Sequence, residues 1–232
     1  MSAPPFALTL PKGFPDDVFE TIKMRIVPRI RNPSPELDNL CGAHNAVRFR
    51  LRACGDYSDE FVASVRRFGD AGSMKQRYEQ ERQLFGFFVS GISALDSFYF
   101  FLYIAAAHLE PRTFPINRPE DLRNITRKST ADAFARTFSD DSLALALTSV
   151  QRDPAHKTWG GFRNVLAHRS APGRNIYASF GGDSTAPKAD WKIDPALAIK
   201  IDENLTPSRL TWLVQSLANL IAAADDFTAR RF

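Results

Sequence analysis

The chain has 232 residues, of which 44% are hydrophobic and 24% charged, with a formal net charge of +4. This is the length and balance of a globular protein with a sizeable core, and it excludes wholesale disorder. So mild a positive charge permits contact with nucleic acid without demanding it.

The amino terminus, Met1-Ser2-Ala3-Pro4-Pro5, has no basic stretch ahead of an apolar run, so no secretory signal is expected. Residues 1–33 are broken by prolines and read as a segment packed on the remainder, with one short helix near Asp16 to Ile26. A firmer helix begins at Ser34 as N-cap with Pro35 in the first helical position. Its apolar stripe of Leu37, Leu40, Cys41, His44, Val47 and Leu51 predicts an end near Cys54-Gly55. His44 reads as a core histidine and Cys41 as a small core residue. Cys41, Cys54 and His44 do not complete a zinc set, and two thiols in a chain this long suit a reducing cytosol. A shorter helix is expected over Ser58 to Phe68, stopped by Gly69 and Gly72.

The next helix is predicted from about Ser73 to His108. Within it, Leu84 to Ala107 carries a single formal charge, Asp96, and is long enough to cross a bilayer. Asp at the centre of a span costs roughly 2.5 to 3.5 kcal/mol on insertion scales, and serines and glycines dilute the stretch further. The reading is therefore a buried central helix and no membrane. A membrane-associated helical protein built around residues 84–107 is the alternative. Asp96, Phe100, Tyr103 and Ala107 fall on one face, with Ser93 above them. A charge halfway along a buried helix requires an Arg, His or hydroxyl partner.

Residues 111–128 carry Arg112, Arg118, Arg123, Arg127 and Lys128, which read as a solvated basic face, with phosphate contact as the other reading. Helical pattern follows from Pro119, over Thr130 to Phe138, over Asp141 to Val150, and from about Pro154 to Arg169. Between 174 and 205 the pattern turns to strand: Ile176 to Phe180, the turn signal Gly181-Gly182-Asp183, and apolar pieces at Trp191-Lys192-Ile193 and Ile199-Lys200-Ile201. Thr206-Pro207 opens a last helix striped with Leu210, Leu213, Val214, Leu217, Leu220, Ile221 and Ala224. The fold class predicted is all-α, a helical bundle over residues 34–232 with a small β insertion before the C-terminal helix.

The chemistry-bearing stretch is Phe162-Arg163-Asn164-Val165-Leu166-Ala167-His168-Arg169. An arginine and a histidine supply what metal-free phosphodiester cleavage needs, a proton acceptor and a fixed cation for charge developing on phosphate. Five residues of helix turn the chain by roughly 140°, so Arg163 and His168 do not share a face, whereas Asn164 and His168 do. A two-fold pair of chains would bring Arg from one copy near His of the other, and Gly160 and Gly161 would let backbones approach. The bland account is a buried polar network of Asp96, Arg163 and His168 that fixes helix register, with Arg169 as a helix-terminal cation.

Arg163-Asn164-x-x-x-His168 resembles the signature of the HEPN superfamily, an arginine, often followed by a polar residue, and a histidine four to six residues on. The resemblance covers about a turn and a half of helix. It implies a helical bundle that dimerises, and a metal-independent endoribonuclease without cofactor, in a toxin–antitoxin or defence setting. His168 would take the proton from a ribose 2′-hydroxyl, Arg163 would stabilise the phosphoryl charge, and Asn164 would orient the histidine or bind phosphate. Arg169 and Arg174 would hold the RNA backbone, with Asp96 and Tyr103 in support. DNA, lacking the nucleophile, would be inert. The alternative within the family is a non-catalytic module that binds a nucleotide, RNA or a protein partner. A cytoplasmic homodimer is expected.

Overall fold

Two long helices packed antiparallel carry the rest of the chain. In this computed structural model, which describes residues 8–168, 171–177, 188–192 and 199–232, the order is α1 (Asp16–Ile26), a 3₁₀ turn (Val27–Arg29), α2 (Pro35–Phe68) and α3 (Met74–Leu109). There follow α4 (Pro119–Arg123), α5 (Arg127–Thr137), α6 (Ser142–Arg152), α7 (Pro154–His168), β1 (Gly173–Tyr177), β2 (Lys188–Lys192) and α8 (Leu205–Arg231). The fold is all-α with one small sheet, as the sequence predicts.

Local signals set the helix ends. Ser34 Oγ accepts from the Leu37 amide at 3.2 Å, and Pro35 occupies the first helical position of α2. Ser73 and Gln76 exchange side-chain and backbone hydrogen bonds as a capping box at the start of α3. Gly55 does not stop α2. The two helices expected over 34–54 and 58–68 are one continuous element, because Gly55 stays helical where the ring of Pro11 lies against it; an added Cβ would sit 3.3 Å from that ring. The stop comes at Gly69, whose φ of +64° side chains resist.

The apolar window of α3 is long enough for a membrane span, yet 72% of it is buried inside the bundle. Phe87 and Phe88 meet α7 there, and Phe98 and Phe101 meet Phe19 of α1. The α8 stripe is satisfied as expected: Leu213, Val214, Leu217, Leu220, Ile221 and Ala224 are buried and Leu210 packs at the margin. α1 is clasped to α8 by Arg25, which bonds the Asp225 carboxylate. His44 is fully buried and stacks on Phe19 at 4.3 Å; burial lowers its pKa, with the Glu20 carboxylate 3.5 Å away. Of the two cysteines it is Cys54 that sits in the core, whereas Cys41 is only half-buried.

β1 and β2 pair antiparallel with Gly173 opposite Lys192 and Tyr177 opposite Lys188. The piece at Ile199–Ile201 forms no strand; Ile201 is instead buried against the bundle. The turn signal at 181–183 lies outside the described residues.

Candidate functional site

The motif helix, α7, is held in one rotation by its own aromatic residues. At its start Asp153 accepts from the Ala155 amide at 2.7 Å through Oδ1 and from Trp212 Nε1 at 2.9 Å through Oδ2. One turn on, the Trp159 indole lies over Gly91 of α3 and donates to the Phe88 carbonyl at 3.0 Å. Any Cβ at position 91 would collide with that indole, so the glycine is what lets α7 approach. Phe162 packs edge-on against Phe88 at 4.6 Å. Gly160, by contrast, faces open space.

With Trp159 and Phe162 inward, the motif divides as helical geometry requires. Arg163 is half-buried, while Asn164 and His168 stand exposed on one face, four residues apart. Among the described residues, no hydrogen bond or ion pair engages the side chain of Asn164 or His168. Arg163 shares its face with His156, seven residues earlier, and its charge reaches Arg127 of α5, whose pKa it lowers. Arg169 lies outside the described residues.

Asp96 has an arginine partner, as its position demanded, but it is Arg127 rather than Arg163, and the pair is not fully buried. The carboxylate is half-exposed, and its Oδ1 sits 3.3 Å from Arg127 Nε. The buried network of Asp96, Arg163 and His168 does not form, since His168 points to solvent. Arg127, read from the sequence as one of a solvated basic face, is turned inward. Burial lowers its pKa; Asp96 and Tyr99 oppose this and the neighbouring Arg163 adds to it. Arg118, with Asp121, and Lys128, with Asp132, are surface pairs.

Around Arg127 lies a set of polar groups that sequence reasoning passed over. Arg127 Nη1, Gln151 Nε2 and both ring nitrogens of His156 are buried without a partner among the described residues. The His156 pKa is pushed down to about 4 by burial, with Arg127 acting in the same sense. The Tyr99 hydroxyl donates to the Leu147 carbonyl at 3.0 Å. The seven-residue spacing of His156 and Arg163, two helical turns, was the available signal.

The remaining candidates are placed elsewhere. Tyr103 packs on Phe114 at 5.1 Å, with its pKa raised by burial and by Asp121, so it supports an aromatic cluster with Phe134, Phe138 and Phe227 rather than the motif. Arg174 anchors the hairpin: it donates to the Asp70 carbonyl at 2.6 Å and stacks over the Trp191 ring at 3.6 Å, while Trp191 Nε1 donates to the Asp70 carboxylate at 3.1 Å. Burial pulls its pKa down to about 10. So engaged, it is no free backbone clamp. Asp96 also borders a groove of about 450 Å³ between α2 and α3. Among the described residues no three His, Cys, Asp or Glu side chains gather as a metal set.

Comparison of the chain with models of protein families, with curated proteins and with solved structures finds no match.

Proposed function

We propose that the C-terminal half of α7 is the working element of a metal-independent endoribonuclease of HEPN type. One observation carries the reading: Asn164 and His168 share an exposed face of α7, while Arg163 stands around the helix, half-buried, with its charge felt at the Arg127 guanidinium that pairs with Asp96. That cluster has cationic charge to offer a phosphate.

In this reading His168 accepts the proton of a ribose 2′-hydroxyl, and the 2′-oxygen attacks the adjacent phosphorus. Arg163 carries the charge that develops on the phosphoryl oxygens, and Asn164 orients the imidazole or the phosphate. The bond to the 5′-oxygen breaks, that oxygen takes a proton from water, and the products are a 2′,3′-cyclic phosphate and a 5′-hydroxyl. A toxin–antitoxin or defence setting is the context that the motif's resemblance suggests.

A second reading, a binding module without turnover, is favoured by the position of Arg163, which is half-buried and leaves α7 roughly 140° around from His168. Incubating wild type, Arg163→Ala and His168→Ala with a mixed RNA pool in EDTA separates the two. The ribonuclease reading expects wild-type cleavage that falls about 10²-fold or more in His168→Ala and leaves cyclic phosphate ends. Binding of RNA by all three proteins with no cleavage by wild type would install the binding module instead.

A further inference from the structure

Most of α3 is buried, but its first turns carry an exposed aromatic stripe that the bundle does not use. Met74, Tyr78 and Phe85 expose 75%, 66% and 43% of their surface. Spacings of four and seven residues put them on one face of the helix, which Lys75 and Arg82 share. Glu79 and Glu81 fall to either side of it. Lys75 is exposed with no partner among the described residues. Arg82 only approaches Glu60 at 3.9 Å, with both side chains more than half exposed. The stripe is aromatic and cationic, with no acid in it.

The motif lies next to this stripe. α7 runs along α3 toward its N-terminus: Trp159 covers Gly91, and Phe162 packs on Phe88. The chain then reaches Arg174, which bonds the Asp70 carbonyl just ahead of α3 and whose charge is felt at Glu81. His168 is six residues past Phe162, about 9 Å of helix, and so comes level with residues 81–85 of α3. Phe85 precedes Phe88 by three residues, which makes it the stripe's nearest aromatic to α7. These features narrow the partner. A second copy meeting the stripe with its own would set cation against cation. An apolar protein surface would strip water from Lys75 and Arg82 with nothing in return. A single-stranded nucleic acid suits both sets of groups, with open base faces for the rings and phosphates for the cations.

We propose that the first turns of α3 are a stacking platform for single-stranded RNA, with Tyr78 and Phe85 each taking a base and Lys75 and Arg82 holding phosphates. Seven residues separate the rings by about 10 Å along the helix, further than neighbouring bases stand in a stack, so the strand lies splayed. That the strand is RNA rests on the ribonuclease reading, because a ring stacks on a base without reading the 2′-hydroxyl.

Fluorescence anisotropy with labelled octamers tests it, in the His168→Ala background so that RNA stays whole. Single-stranded RNA and single-stranded DNA of one sequence are expected to bind within about threefold of each other, and the RNA duplex at least about tenfold more weakly. Tyr78→Leu and Phe85→Leu, which keep apolar bulk but lose the ring face, should each weaken single-strand binding at least about fivefold. Tyr78→Trp and Phe85→Trp should keep it within about threefold. Both positions are exposed, so the Tm should hold in all four variants. Lys75→Gln should flatten the log–log salt dependence by about one unit. No single-strand binding, unchanged affinity in the leucine variants, or a duplex bound as tightly as the single strand would overturn the platform. Light scattering covers the other occupant: a dimer that Tyr78→Leu converts to monomer, with RNA affinity unchanged, gives the stripe to a second copy. Cleavage assays keep the two proposals apart. Stacking as expected with no cleavage by wild type leaves the platform standing and removes the nuclease. Cleavage that Tyr78→Leu and Phe85→Leu leave untouched at limiting RNA keeps the nuclease and removes the platform.

Discussion

His156 presents the sharpest energetic question at the scale of a single residue. Both ring nitrogens are buried without a described partner, and the folded value of about 4 lies below the ordinary 6.5. As pH falls through 6.5 the unfolded chain takes a proton that the folded one refuses, so stability drops between about 6.5 and 4 and levels off below. The full effect is of order 3 kcal/mol, from about 1.4 kcal/mol per unit of displacement. His156→Leu removes the titrating ring and leaves no hydrogen bond of its own unmade. Its stability at pH 7 should match wild type within about 1 kcal/mol or exceed it. Denaturant melts at pH 7 and pH 4.5 should then show a much smaller acid loss than in wild type, and an unchanged acid loss would assign it to other groups. Arg127 was equally hidden in the sequence. A run of arginines reads as solvated, and only the fold reveals that one of them turns inward to hold Asp96.

Among the elements, the helices were legible wherever a side chain closes an orphaned backbone group or a stripe repeats. Ser34-Pro35, Ser73 with Gln76, and the α8 stripe all behave as they read. What was hidden is what depends on a distant neighbour. Gly55 reads as a stop until Pro11 is found against it, and nothing in Gly91 foretells the indole that covers it. Likewise Ile199–Ile201 alternates like a strand, yet it buries Ile201 without pairing. The α3–α7 contact gives the prediction that belongs at this scale. Gly91→Ala forces the Trp159 ring off the Phe88 carbonyl and should cost about 1–3 kcal/mol. Pairing it with Trp159→Phe, which makes room but gives up the indole hydrogen bond, should cost less than the sum of the two single changes. Thermal melts of the three variants measure this, and strict additivity would mean that the two side chains do not meet. Because α7 carries the motif, the same variants ask how far its rotation matters to RNA cleavage.

Across the whole molecule, the angle between Arg163 and His168 becomes a statement about assembly. With α7 locked by Trp159 and Phe162, the two side chains leave the helix roughly 140° apart, one half-buried and one toward solvent. A phosphate held by Arg163 is therefore poorly placed for His168 of the same chain. A two-fold pair relieves the conflict, because each copy then offers its arginine to a substrate served by the other's histidine. The consequence is specific. Arg163→Ala and His168→Ala, each inactive alone, should restore cleavage when mixed and allowed to exchange. The mixed dimer then holds one site with both groups intact and one with neither. With random exchange half of the dimers are mixed and each has one working site, so recovered activity should approach about a quarter of wild type. Cleavage that stays at background in a mixture shown to have exchanged subunits would place both groups of each site on one chain. Arg163 would then have to swing out of its half-buried position to reach the substrate.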